Sequence, residues 1–117
     1  MNKRELGRRG EQRAKDYLIS KGYRIVEENF WCRWGEIDII AWDRGCLAFV
    51  EVKMTRGRGF MSPSEQIDYR KKENLTRVAK YYITQKGIEV DTRFDLVAIS
   101  KTSFGEEIEL FKNIVIY

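Results

Sequence analysis

An α/β fold with a mixed central sheet and flanking helices, in the order αβββαββ, is what this sequence predicts, and three observations predict it. Two stretches carry apolar residues at helical spacing. Five short runs are rich in β-branched and aromatic residues. Three of those runs form a meander before the second helical stretch, which then acts as a crossover to the remaining two.

Taking the elements in order, Asn2 with Glu5 three positions later forms a capping-box start. Leu6, Gly10, Ala14, Tyr17 and Leu18 then recur at helical spacing until Lys21-Gly22 supplies a basic last turn and a glycine stop, so the first helix is expected over about residues 3 to 21. Strands are expected over Tyr23 to Phe30, Glu36 to Trp42 and Cys46 to Met54, followed by a mobile basic loop from Thr55 to Phe60. A second helix starts at Ser62-Pro63-Ser64-Glu65, where serine caps and proline fits the first helical position. Leu75, Val78, Ala79, Tyr82 and Ile83 form its apolar stripe as far as Lys86-Gly87, and its length allows a break near Asp68. The last two strands fall at Arg93 to Ser100 and Ile108 to Tyr117.

With 117 residues, 43% of them apolar and 34% charged, the expectation is one domain over residues 1–117, able to bury a core without disulfides or a structural metal. The chain has no histidine. That removes Ser-His-Asp and Cys-His nucleophilic arrangements and histidine zinc sites, and leaves carboxylate, lysine and metal chemistry. Cys32 and Cys46 lack C-x-x-C spacing and suit a reducing compartment as small apolar fillers. Neither a signal peptide nor a membrane span is visible, so a cytoplasmic protein with no membrane partner is expected. Charge is uneven: residues 1 to 15 carry net +4 and 53 to 86 net +6, while 16 to 52 and 87 to 117 each carry −3. Two basic tracts on an otherwise acidic chain are either a polyanion footprint or solvated helix faces.

The second and third strands meet through Asp43-Arg44-Gly45-Cys46, as a four-residue loop or a two-residue turn. In both cases paired positions sum to 89, which sets Asp38 opposite Glu51 and Glu36 opposite Lys53, all four side chains on one face. Like charges so opposed repel by about 4 kcal/mol at an effective dielectric near 20 and a separation near 4 Å, so something must compensate. The candidates are Lys53, Arg33, protonation of one acid, or a divalent cation. An all-oxygen site of this kind suits Mg²⁺ or Mn²⁺, with the Val52 carbonyl as a further ligand. A metal there would acidify a water and neutralise charge on a phosphate, and Lys53 would stabilise the pentacovalent phosphorus or orient the attacking water. The competing reading is a structural cross-strand ion pair.

These pieces resemble the PD-(D/E)XK, restriction-endonuclease-like nucleases, and within them the YraN-like family of bacterial proteins, relatives of archaeal Holliday-junction resolvases. The matching segments are Gly7 to Glu11, Gly35 to Ala41, Phe49 to Lys53, Ser62 to Lys71 and Arg93 to Ile99, in that order along most of the chain. The resemblance implies that Asp38 and Glu51 bind the metal, that Lys53 is the catalytic lysine, and that Glu11 reaches the site from the first helix. It implies a Mg- or Mn-dependent endonuclease acting on DNA rather than RNA, with branched or otherwise structured DNA as substrate and a homodimer for resolvase action. The alternative is an inactive nucleic-acid-binding module of the same fold. The first acid follows Ile37, where many members have proline.

Several residues keep two readings. Glu11 is a site residue or the partner of Lys15, and Glu36 a site residue or the partner of Lys53. Arg8, Arg9, Arg56, Arg58, Arg70 and Lys71 are phosphate contacts or solvated bases. Trp31 and Trp34 stack on bases or pack in the core, and Asp95 supports the site or satisfies neighbouring donors.

Overall fold

The computed structural model describes residues 3–56, 67 and 69–114. The elements are α1 (Lys3–Ser20), β1 (Arg24–Cys32), β2 (Gly35–Asp43), β3 (Cys46–Arg56), α2 (Tyr69–Lys86), β4 (Thr92–Thr102) and β5 (Gly105–Phe111). This is the expected order, a mixed α/β arrangement compatible with a nuclease-like fold. The five strands lie in sequence order across one sheet. All neighbours are antiparallel except β3 and β4, which the α2 crossover makes parallel.

Local chemistry sets the boundaries. α1 ends where Gly22, at φ 93°, turns left-handed, with Tyr23 N–H donating to Leu18 C=O at 3.0 Å and Gly22 N–H to Ile19 C=O at 3.0 Å. The β2–β3 connection is the two-residue turn: Asp43 pairs with Cys46, and Arg44 and Gly45 both have positive φ (51° and 85°). Two expectations shift. β3 continues through Thr55 and Arg56, because both pair in register with β4, so the basic loop does not begin there. β5 starts at Gly105 rather than Ile108 and ends at Phe111, since a tight return at Thr102–Gly105 lets pairing with β4 begin at once. The expected helix start at Ser62 and the break near Asp68 lie outside the described residues.

Each face of the sheet is covered by one helix. On the α1 side, Ala14 and Leu18 pack on Ile39, Ala41, Ala48, Val50, Val97 and Ile99. On the α2 side, Leu75, Val78, Ala79 and Tyr82 pack on Ile40, Leu47, Phe49 and Leu96. Burial on both faces explains why Leu47 to Val50 and Leu96 to Ile99 are unbroken apolar runs rather than alternating ones. Among the described residues, no helix is long and apolar enough to cross a membrane.

Candidate metal centre

From their turn, β2 and β3 pair as far as Ile39 and Val50, in the expected register, and then part. The continuation with Glu36 opposite Lys53 and four side chains on one face does not form. Ile37 belongs to the α2-side core, whereas Ile39, two residues on, belongs to the α1-side core, so the alternation of β2 breaks at Asp38. Across the break, between the β1–β2 pairs Glu28–Ile39 and Phe30–Ile37, stands Asn29 with φ 53°. Asparagine enters that left-handed region more readily than other residues with a side chain. Asp38 Oδ2 then accepts the Val52 N–H at 2.8 Å, standing in for a carbonyl of the interrupted ladder.

Three glutamates from three elements gather round Asp38. Carboxylate oxygens of Glu11 on α1, Glu36 on β2 and Asp38 all lie within 4.8 Å of one another, a group able to hold a metal ion. Glu51 on β3 shares a hydrogen bond with Asp38. Glu11 gets there because α1 rides low over β3: a Cβ on Gly10 would sit 2.2 Å from Met54 Sδ. Glu11 also bonds Asn29, and Lys15 pairs with Glu28 at 3.2 Å rather than with Glu11.

Proton affinities reflect this crowding. Burial first, then the Asp38 charge, raises the carboxyls of Glu11 and Glu36. The same two causes push Glu51 up to about 8, against the lowering effect of Lys71. Lys71 Nζ stands 3.5 Å from Glu51 Oε2, an ion-pair distance rather than a well-formed hydrogen bond, and that buried oxygen has no hydrogen-bond partner among the described residues. Lys71, expected as a phosphate contact or a solvated base, therefore stands beside the acids. Lys53 is exposed two residues beyond Glu51 on β3.

Arg33 does not compensate the acids. It stacks on Trp34, 4.5 Å from the ring, with Arg77 at 5.0 Å from the same ring, and Trp34 packs against the α2-side core. Trp31 is exposed. Arg8 and Arg9 are exposed on α1 and Arg70 on α2. The Arg56 side chain and all of Arg58 lie outside the described residues. Asp95 satisfies donors: it accepts from Tyr23 Oη at 2.7 Å, Arg93 Nε at 2.9 Å and Asn113 N–H at 2.9 Å. Arg93 and Lys112 also hold Asp43.

Residues 10–99 match the family described as Uncharacterised protein family UPF0102. The chain belongs to the UPF0102 family. This bears out the YraN-like resemblance. A UPF0102 protein of Caldicellulosiruptor saccharolyticus is 44% identical over 97% of this chain and 98% of its own length. One from Desulforamulus reducens is 37% identical over 97% of each chain, and one from Thermodesulfovibrio yellowstonii 44% identical over 82% of this chain and 86% of its own. The UPF0102 match spans Glu11, Glu36, Asp38, Glu51, Lys53 and Lys71 together.

Proposed function

We propose that the chain is a Mg²⁺- or Mn²⁺-dependent nuclease that hydrolyses phosphodiester bonds in DNA, with branched or otherwise structured DNA as its substrate. The observation that carries this reading is the convergence of Glu11, Glu36 and Glu51 on Asp38. Three glutamates whose proton affinity is raised by burial and by the Asp38 charge, one with a buried oxygen that lacks a hydrogen bond, form with Asp38 an oxygen donor set that fits a hard divalent cation. Asp38 and Glu51 would hold the ion, with Glu11 and Glu36 beside it. When bound, such an ion neutralises charge on the scissile phosphate and acidifies a water.

The chain's own residues do the rest. Glu11 positions the attacking water, and Lys53 meets the phosphate oxygens as charge builds on them. Lys71 holds Glu51 in place, and Arg8, Arg9, Arg56, Arg58 and Arg70 meet backbone phosphates. Incising both strands of a branch calls for two such sites, hence two copies of the chain.

The test is cleavage of labelled duplex, single-stranded and four-way-junction DNA, with and without Mn²⁺, by wild type and Asp38→Ala. Divalent-dependent cleavage that disappears in Asp38→Ala is expected. Salt-dependent DNA binding with no turnover, unchanged by Mg²⁺ or by the substitution, would identify a binding module instead.

A further inference from the structure

Trp31 is 74% exposed. A bare indole is costly in water, and it sits here beside the charges described above. In the β1–β2 ladder Trp31 pairs directly with Glu36, one of the three clustered carboxylates. Directly paired residues project to one side of a sheet with Cβ atoms about 4.5 to 5.5 Å apart. The neighbouring pair, Phe30 with Ile37, faces the α2-side core, so Trp31 and Glu36 face the other way. Trp34, by contrast, packs against the α2-side core, with the Arg33 and Arg77 guanidinium groups over its ring, so of the two indoles beside this turn only Trp31 is open to solvent.

We propose that Trp31 is a base-stacking platform that seats an unpaired nucleotide next to the acidic centre, so that the site selects DNA with a splayed or single-stranded position over continuous duplex. This rests on the nuclease reading and adds the substrate feature that it recognises. The physical basis is that a base inside a duplex has both π-faces occupied by its neighbours, whereas an unpaired base offers a free face to an indole. Trp31 acts as a positioning residue and touches none of the reacting atoms.

The experiment uses the full chain carrying Asp38→Asn to suppress cleavage, and measures fluorescence anisotropy of three labelled probes: a single-stranded 12-mer, the same 12-mer with abasic positions, and a duplex. Adding Trp31→Ala is expected to weaken binding of the intact single strand about tenfold, with less than a twofold effect on duplex, while Trp31→Phe keeps most of the affinity. On the abasic strand the variants and the parent should bind alike, a pattern that a merely structural role would not produce. Equal binding of the intact strand by parent and Trp31→Ala overturns the stacking role and leaves the nuclease reading standing. Loss of self-association in sedimentation, with DNA binding intact, makes the indole a contact between copies and also overturns it. If the parent binds none of the probes and wild type cleaves nothing, the nuclease reading falls and this proposal falls with it.

Discussion

Asp38 Oδ2 accepts the Val52 backbone N–H at 2.8 Å, across the point where β2 and β3 stop pairing. One carboxylate thus terminates a ladder and forms the hub of a charge cluster. Its structural and electrostatic contributions have opposite signs: a lost acceptor would strand Val52 N–H at about 1–3 kcal/mol, whereas a lost charge would relieve Glu11, Glu36 and Glu51.

Asp38→Asn keeps an oxygen for Val52 and removes the charge, whereas Asp38→Ala removes both. Without divalent cation at pH 8, Asp38→Asn is expected to be more stable than wild type, and Asp38→Ala less stable than Asp38→Asn by about 1–3 kcal/mol. Urea unfolding of the three proteins checks this order. Equal stability of the two variants would show that the Val52 bond contributes nothing.

Glu51 gives the metal-free protein a pH dependence. Its carboxyl is raised from 4.5 to about 8 by burial and by Asp38. A raised folded-state pKa favours the protonated form, so this contribution to stability is complete below about 4.5 and is lost as pH rises through about 8. Wild-type Tm in EDTA should therefore fall between those limits, and Glu51→Gln should flatten the profile and melt higher than wild type at pH 8. Mn²⁺ at pH 8 should raise the wild-type Tm and leave that of Glu51→Gln nearly unmoved. A parallel pH profile for the two proteins would contradict the burial of an ionisable Glu51.

The seat of α1 on β3 depends on the missing side chain at Gly10. Gly10→Ala drives a methyl into Met54, at 2.2 Å from Sδ and 2.9 Å from Cγ in the present arrangement, so the thioether must move. The obstacle is the end of a flexible side chain and alanine favours the helix over glycine by about 1 kcal/mol, so a net loss of at most about 1 kcal/mol is expected, with reduced Mn²⁺ affinity as α1 shifts and carries Glu11 outward. Because the obstacle is one side chain, Gly10→Ala with Met54→Val should recover both quantities, which calorimetric Mn²⁺ titration and urea melts measure together.

Away from the acids, Arg93 pairs with Asp43 and Asp95, of which Asp95 is completely buried. Arg93→Ala leaves a buried carboxylate short of its cation and should cost about 3–5 kcal/mol in urea unfolding. Arg93, and behind it Lys112, holds the Asp43 carboxyl below its usual 3.8 against the opposing effect of burial. That stabilisation is present above about pH 4 and is lost on acidification. Acid unfolding of Asp43→Asn should accordingly show a weaker pH dependence below pH 4 than wild type.

The sequence alone determined the order of the elements and the register of the β2–β3 turn, because both rest on local chemistry. Helix spacing, a glycine stop after Ser20 and an Arg-Gly turn act over a few residues, and period-two alternation carries the register from Cys46 to Val50. Alternation extrapolated further failed at Asp38. The visible signal was Asn29, a left-handed-tolerant residue inside a strand pattern, yet nothing local says that its kink falls opposite Asp38. Tertiary structure decided that Glu11 joins the acids while Lys15 goes to Glu28, that Lys71 comes from α2 to Glu51, and that Trp34 is packed while Trp31 is left bare. Those outcomes depend on how closely two helices approach opposite faces of one sheet. That distance is set by packing between residues far apart in the chain, such as Gly10 against Met54, and no window of sequence contains both sides of such a contact.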